Sequence, residues 1–387
     1  MLAASDPRSR EAATTVPVYG QLPFVPKSAD GCDILTMDNR RILDLYGGHA
    51  VAALGYGHPH LERAINEQNR TLLFQSNAVA LDIRASAAEK LIDVAPDNLR
   101  RVFFVNSGAE ANENALRMAC VATGRSKILA ITHGFHGRTA AAAAVTWNSE
   151  KWYGFANKPF EVDFIARDDC EAAMQMIDDA VAAVIVEPVQ GVAGAYDLSG
   201  DFLTTLREQT SKHGALLIAD EVQSGIGRCG QFFAVQAHGI APDIITSAKA
   251  LGGGIPCGAI LCGEELAMKF GPGDLGTTFG GGPIAAAAIV AVLETIENEN
   301  LLANVRAREA QIRSSCVIGP VTKIQGKGLL LGLVCNRPAL EVRDALLEQD
   351  ILTGTSADSR VVRILAPLVL TEEHVVRLAK SLASITP

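Results

Sequence analysis

Lys249 stands where an apolar run meets glycine, in Pro242-Asp243-Ile244-Ile245-Thr246-Ser247-Ala248-Lys249-Ala250-Leu251-Gly252-Gly253-Gly254. An ammonium at the inner end of a strand is costly unless it is paired or neutralised, and condensing with an aldehyde to a Schiff base neutralises it. Lysines in general are solvated surface groups, so the neighbours of Lys249 decide. A second apolar run upstream, residues 215–219, ends in Asp220-Glu221-Val222-Gln223. An ionised Asp220 at that strand end needs a cationic partner. Ser107-Gly108-Ala109 follows a third run and opens an amphipathic helix over residues 110–123, so backbone N–H groups and the helix dipole converge on one anion-binding point. A serine cap without a ligand would look the same in isolation.

Together these residues suit one cofactor. If pyridoxal phosphate is bound, Asp220 would keep the pyridine nitrogen charged and make the ring an electron sink, and Gln223 could reach the phenolic oxygen, whereas a single aspartate taken alone reads as a salt bridge or helix cap. Gly225-Ile226-Gly227-Arg228-Cys229-Gly230 matches G-x-G-x-x-G and follows a strand. The next residues, Gln231-Phe232-Phe233-Ala234, open no convincing helix, and no acid ends a second strand at the expected distance, which weighs against a dinucleotide site.

The elements that must position these groups are legible as alternation. Apolar, β-branched runs at 101–105, 127–131, 182–186, 215–219 and 243–246 alternate with helical patterns. This predicts an α/β fold with a mostly parallel central sheet sandwiched by helices. Ligands of such sheets bind beyond the strands' carboxyl ends, and each run is followed there by polar or glycine-rich residues. From about residue 290 a long helical pattern with Glu294, Glu297 and Arg308 leads to strands at 328–334 and 361–365 and helices at 340–347 and 374–382. Strands near 32–36 and 41–44 are expected to pack with that smaller unit. The expected domains are 46–284, the large cofactor-binding unit, and 1–45 plus 285–387, the small one.

Bulk properties bound the function. The 387 residues, 48% hydrophobic and 20% charged, describe a globular chain with a large core. A net charge of −9 argues against nucleic acid or an anionic membrane as the main partner. The longest apolar run, 284–293, is too short to span a bilayer. The start, Met1-Leu2-Ala3-Ala4-Ser5-Asp6-Pro7-Arg8, has no apolar signal core, so a cytoplasmic location is expected. The eight cysteines form no C-x-x-C pair, and the His58/His60 and His133/His136 pairs lack ligand-type neighbours, so no metal site is expected.

Asp220-Glu221-Val222-Gln223-Ser224-Gly225-Ile226-Gly227-Arg228, Pro242-Asp243-Ile244 and Ala248-Lys249-Ala250-Leu251-Gly252-Gly253-Gly254 resemble the class-III pyridoxal-phosphate aminotransferases, a fold-type-I family. Asn106-Ser107-Gly108-Ala109-Glu110-Ala111-Asn112-Glu113, Gly134-Phe135-His136-Gly137-Arg138-Thr139, Glu187-Pro188-Val189-Gln190-Gly191 and Thr277-Thr278-Phe279-Gly280-Gly281 extend the likeness over nearly the whole chain. Within that family the resemblance is nearest to the acetylornithine and ornithine aminotransferases. It implies that Lys249 holds the cofactor covalently and then moves the substrate proton, with Phe135 stacked on the ring. It implies that Thr278 reaches the phosphate of a neighbouring subunit's cofactor, hence a homodimer with shared sites.

The same resemblance makes Arg138 the clamp for the α-carboxylate of an ω-amino donor and Arg363 the clamp for glutamate or 2-oxoglutarate. Glu187 is expected to neutralise Arg363 while the donor is bound. The implied reaction moves the ω-amino group of N-acetyl-L-ornithine or a close relative to 2-oxoglutarate. Ornithine, succinylornithine or another ω-amino acid is the alternative donor, and a glutamate-1-semialdehyde-type aminomutase or a non-catalytic binding protein is a more distant one. The chain departs from the family pattern at His49, Tyr56, Ala78 and Val79, changes expected to reshape the donor pocket.

Overall fold

The computed structural model describes residues 6–386. The expectation about a leader rests largely on residues 1–5, which lie outside the described part. Seven strands build the central sheet: β1 (Arg101–Val105), β2 (Lys127–Ile131), β3 (Glu161–Ile165), β4 (Val181–Val186), β5 (Leu216–Asp220), β6 (Ile244–Ser247) and β7 (Gly258–Cys262), in the order β1-β7-β6-β5-β4-β2-β3. Strands β2 to β6 pair in parallel, and β7 runs antiparallel to both its neighbours, β6 and β1.

Both faces of this sheet are covered, which explains why its strands read as continuous apolar runs. Leu129, Ile131, Val184, Val186 and Leu217 join one buried cluster, whereas the alternating Ile128, Ala130, Ala183, Ile185 and Ile218 join another. The strand period of two therefore feeds two cores. Strand β4 is buried along its whole length.

A smaller antiparallel sheet orders Val321–Lys327, Leu330–Cys335, Val361–Ile364 and Gly354–Thr355. A further four-stranded sheet joins the N-terminal strands Pro26–Asp30, Asp33–Thr36 and Arg41–Asp44 to Ile351–Leu352. Backbone bonds continue this seam: Leu45 N–H donates to the Leu352 carbonyl at 2.9 Å, and Leu365 N–H donates to the Leu45 carbonyl at 2.8 Å. The seam sets Tyr46 beside Arg363.

The pattern beyond residue 290 is two helices, Pro283–Asn298 and Leu301–Ser315, because Asn300 adopts a left-handed φ of 52° and turns the chain. The sequence also left eight strands unassigned: β3, β7, Pro26–Asp30, Val189–Gln190, Tyr196–Asp197, Ile351–Leu352, Gly354–Thr355 and Val321–Lys327. The last reads Val-Thr-Lys-Ile-Gln-Gly-Lys and sits at a sheet edge, where solvent tolerates its polar residues. Among the described residues no helix is long and apolar enough to cross a membrane.

Candidate active site

A cavity of about 440 Å³ opens at the carboxyl ends of β1, β5 and β6 and gathers Ser107, Gly108, Ala109, Phe135, Arg138, Glu187, Asp220, Gln223 and Lys249. The structure thus brings together nine of the eleven site residues expected from sequence. Arg363 and Thr278 lie outside the cavity wall.

The anion-binding corner is built by the helix Gly108–Thr123. Ser107 caps it, its hydroxyl accepting from Glu110 N–H at 3.2 Å, and Glu110 reaches back to Asn106 N–H at 2.7 Å. A left-handed Gly124 closes the far end. Helix geometry leaves the Gly108 and Ala109 amides without intrahelical acceptors, and both residues face the cavity. Gly108 is required here, since a Cβ would come within 2.6 Å of the Val222 side chain.

Asp220 is almost fully buried and triply held. Its Oδ2 accepts from Asn112 Nδ2 at 2.7 Å and from His136 Nδ1 at 2.8 Å, and its Oδ1 accepts from Val222 N–H at 3.0 Å. Thr246 Oγ1 donates to Asn112 Oδ1 at 2.7 Å, which fixes the amide so that its nitrogen faces Asp220. Sequence reasoning missed Asn112, His136 and Thr246. The available signal was a polar residue on the inner face of an otherwise apolar helix.

Lys249 follows β6 with a positive φ of 40°, a strained backbone for a lysine. It makes no ion pair among the described residues. Burial lowers its pKa, against the opposing pull of Asp220 and Glu187, and so favours the neutral amine.

Glu187 makes no ion pair with Arg363, although its charge acts on that guanidinium across the site. Its carboxylate accepts from Phe135 N–H at 2.7 Å and Gly191 N–H at 3.2 Å, and burial pushes its pKa up. Those amides hold the carboxylate between its own turn and the turn that follows β2. Arg363 instead donates to the Thr355 carbonyl at 2.7 Å, the Gly191 carbonyl at 3.2 Å and the Tyr46 hydroxyl at 3.1 Å. The two side chains therefore share Gly191, one at its amide and one at its carbonyl. Arg138 is exposed, has no carboxylate in ion-pair range among the described residues, and lies 5.2 Å over the Phe135 ring.

Thr278 sits on an exposed loop whose next residue, Phe279, is 65% exposed and packs on Phe74 with ring centroids 5.2 Å apart. The loop is tied to the site by Asn106 Nδ2 donating to Thr277 Oγ1 at 3.2 Å.

The departures from the family pattern land in different places. Tyr56 does not shape a pocket: its hydroxyl donates to buried Asp44 at 2.6 Å and its backbone pairs with Gly31. Ala78 and Val79 lie in the exposed stretch before helix Asp82–Asp93. His49 lies in the tight turn Gly47–Ala50, where all four residues have φ between 53° and 69°. Left-handed geometry costs a non-glycine residue about 1–2 kcal/mol. Burial lowers the pKa of His49, and the charges of Arg363, Lys249 and Arg138 lower it further.

The glycine fingerprint 225–230 is a run of turns, with Gly227 and Gly230 at φ of 83° and 81°, and no helix opens from it. Its Arg228 is fully buried and donates to the Leu329 and Ala366 carbonyls, fastening this loop to the C-terminal part.

The family model for aminotransferase class-III matches residues 15–386. The chain belongs to that family. It is 39% identical to an acetylornithine aminotransferase of Corynebacterium efficiens over 95% of this chain and 93% of that protein. It is 40% identical to one of Methanopyrus kandleri over 95% and 94%. Among solved structures it resembles an ornithine aminotransferase of Toxoplasma gondii, with a TM-score of 0.91 and 26% identity over 98% of this chain and 93% of that one. An acetylornithine aminotransferase of Elizabethkingia anophelis matches with a TM-score of 0.87 and 29% identity over 97% of both.

This class-III aminotransferase uses pyridoxal 5'-phosphate, and the residues on the cavity wall fit it. Two free amides at a helix start suit a phosphate, and a buried carboxylate suits a ring cation. A lysine with lowered pKa suits an aldehyde. Gln223 lines the same wall, with its amide oxygen packed against Gly191.

Proposed function

We propose that this enzyme moves the ω-amino group of N-acetyl-L-ornithine, or of a close ω-amino acid, to 2-oxoglutarate, giving a semialdehyde and L-glutamate. The observation that carries it is the pair of guanidiniums near one lysine: Arg138, free of carboxylates at the cavity, and Arg363, buried behind Gly191. Two carboxylate-bearing substrates need two such clamps. The acetylornithine aminotransferases among the relatives support the donor.

Bound in this cavity, pyridoxal phosphate supplies the aldehyde that exchanges amines and the ring that withdraws electrons. Lys249 Nζ takes the proton from the amine-bearing carbon and returns it on the other side of the transfer. Asp220, held by Asn112 and His136, keeps the ring nitrogen protonated. Phe135 stacks on the ring, Gln223 meets its phenolic oxygen, and Ser107, Gly108 and Ala109 hold the phosphate. Arg138 orients the donor and Arg363 the dicarboxylic acid. Glu187, set between its amides at the strand end, offsets the charge of Arg363 while the donor is bound.

The enzyme acts as a cytoplasmic homodimer. The exposed apolar surface at Leu73, Phe74, Val79 and Phe279 adjoins the site, and a second copy covering it would bring its Thr278 to the neighbouring phosphate.

Purified protein is expected to be yellow, to change spectrum on adding glutamate, and to lose both properties in Lys249→Ala. A colourless wild type that cannot be reconstituted with pyridoxal phosphate overturns the assignment. Ornithine and its acetyl and succinyl derivatives, compared by kcat/KM with 2-oxoglutarate, identify the donor. Reaction with simple monoamines alone would remove Arg138 from its role.

A further inference from the structure

Tyr46 reaches Arg363 from the far end of the chain and is the one side-chain partner of that guanidinium among the described residues. Arg363 Nε donates to the Thr355 carbonyl at 2.7 Å, Nη1 to the Gly191 carbonyl at 3.2 Å and Nη2 to the Tyr46 hydroxyl at 3.1 Å. A guanidinium carries five N–H donors, so one remains on Nη1 and one on Nη2, the pair that grips a carboxylate end-on. Two of the three acceptors are backbone carbonyls, fixed by the segments that carry them. The third holds Nη2, the nitrogen that neither carbonyl reaches.

Tyr46 is itself built into place. Its N–H donates to Asp44 Oδ1 at 2.7 Å, and its neighbour Leu45 is bonded through the backbone to Leu352 and to Leu365. The ring fits because residue 354 is glycine: a Cβ there would fall 2.0 Å from Tyr46 Cε2. Gly354 pairs with Arg363 in the small sheet, so the register that places the arginine also opens the room for the ring.

The chemistry of this partner matters. A phenol is a neutral acceptor, and burial raises the Tyr46 pKa, which keeps the hydroxyl neutral. It accepts from Arg363 without cancelling the charge. A carboxylate in the same place would form an ion pair that a substrate carboxylate would first have to displace. Glu187 acts on Arg363 only across the site. Arg363 stands behind Gly191, whose neighbour Val192 lines the cavity, and its charge is felt by Lys249.

We propose that Tyr46 is a positioning residue for the dicarboxylic acid substrate: its hydroxyl holds Arg363 aligned and charged, so that a carboxylate binds without an ion pair being broken first. The inference rests on the aminotransferase reading above. It adds that the clamp for the acid is preset by a side chain from the N-terminal sheet.

Glutarate, a dicarboxylic acid with no amine to transfer, tests the clamp without turnover. Titrated into the holoenzyme by calorimetry, it should bind Tyr46→Phe roughly threefold to tenfold more weakly than wild type, the worth of one hydrogen bond. The variant keeps the ring that Gly354 admits, so packing is preserved. In the glutamate half-reaction, followed by the cofactor's absorbance, the same variant should raise KM by a similar factor with kcat near its wild-type value. The half-reaction of the amino donor should change far less. In an Arg363→Lys background, whose ammonium has no planar fork to align, adding Tyr46→Phe should weaken glutarate by less than about twofold.

Unchanged glutarate affinity in Tyr46→Phe overturns the proposal, as does an equal KM change in both half-reactions or a full further loss on top of Arg363→Lys. A wild-type holoenzyme that binds no glutarate overturns it as well. Glutarate binding that depends on Tyr46, in a protein that transfers no amino group, would support the Tyr46–Arg363 arrangement and count against the aminotransferase reading.

Discussion

Asn112 Nδ2 lies 2.7 Å from Asp220 Oδ2, and its direction is dictated from behind by the Thr246 hydroxyl. A buried amide is therefore locked as a donor to the carboxylate proposed to hold the ring nitrogen's charge. Asn112→Asp places a second carboxylate at the same distance, and two such groups cannot both ionise. One proton will be shared between them, weakening the counter-charge for the ring nitrogen. Cofactor affinity should fall at least roughly tenfold, since one unit of pKa disturbance is worth about 1.4 kcal/mol. Equilibrium dialysis and the visible absorbance maximum check this, and an unaltered spectrum with unaltered affinity would refute it.

Arg138 and Arg363 should separate by substrate. Arg138→Met is expected to lower kcat/KM for the amino donor roughly 10- to 100-fold, the worth of a charged hydrogen bond, while Arg363→Met does the same for glutamate. Half-reactions measured in isolation distinguish the two. Equal losses on both sides for either variant would mean that the clamps are shared.

Glu221 is a fully buried carboxyl whose pKa is pushed up to about 7 by burial. Its Oε1 accepts from Val235 N–H at 2.9 Å, an interaction a glutamine oxygen can keep. Between the ordinary 4.5 and about 7 the unfolded chain releases this proton while the folded chain retains it, so stability falls as pH rises through that window. Glu221→Gln removes the titration. Urea denaturation across pH 5 to 8 should show the decline flattened by roughly 3 kcal/mol, and parallel curves for wild type and variant would rule the effect out.

Phe279→Asp puts a charge into the exposed apolar surface beside the Thr278 loop. Sedimentation is expected to shift from dimer toward monomer, with pyridoxal phosphate held more weakly because each site loses a contribution from its neighbour. A variant that stays dimeric with full cofactor affinity would place the interface elsewhere.

The large sheet was legible because its strands are covered on both faces and so write themselves as apolar runs ending in Asn106, Asp220 and Lys249. Strands β3 and β7 were not, since Glu161 and Asp163 interrupt the apolar run of β3 and Gly258-Ala259-Ile260-Leu261-Cys262 opens on glycine with Ile260 its one β-branched residue. Lys249, Asp220 and Ser107 could be found from strand ends alone. The partners of Glu187 could not, because the Phe135 amide it holds comes from another strand's turn, 52 residues away. Tyr46 escaped notice for the same reason on a larger scale. How Tyr56 and Val79 bear on the donor pocket is not legible from position alone: the chain turns Tyr56 onto Asp44 and sets Val79 on the exposed apolar surface.

The contact between Tyr46 and Arg363 spans 317 residues of chain. On a ribosome adding about 5–20 residues per second, Tyr46 emerges roughly 15 to 60 s before its partner exists. For most of that interval Arg41–Asp44, already paired with Asp33–Thr36 on one side, lacks Ile351–Leu352 on the other, and that hydrogen-bonding edge is open to other chains. The last stretch to be synthesised both supplies Arg363 and closes that edge, so nascent or C-terminally truncated chains should depend on chaperones in a way the finished enzyme does not.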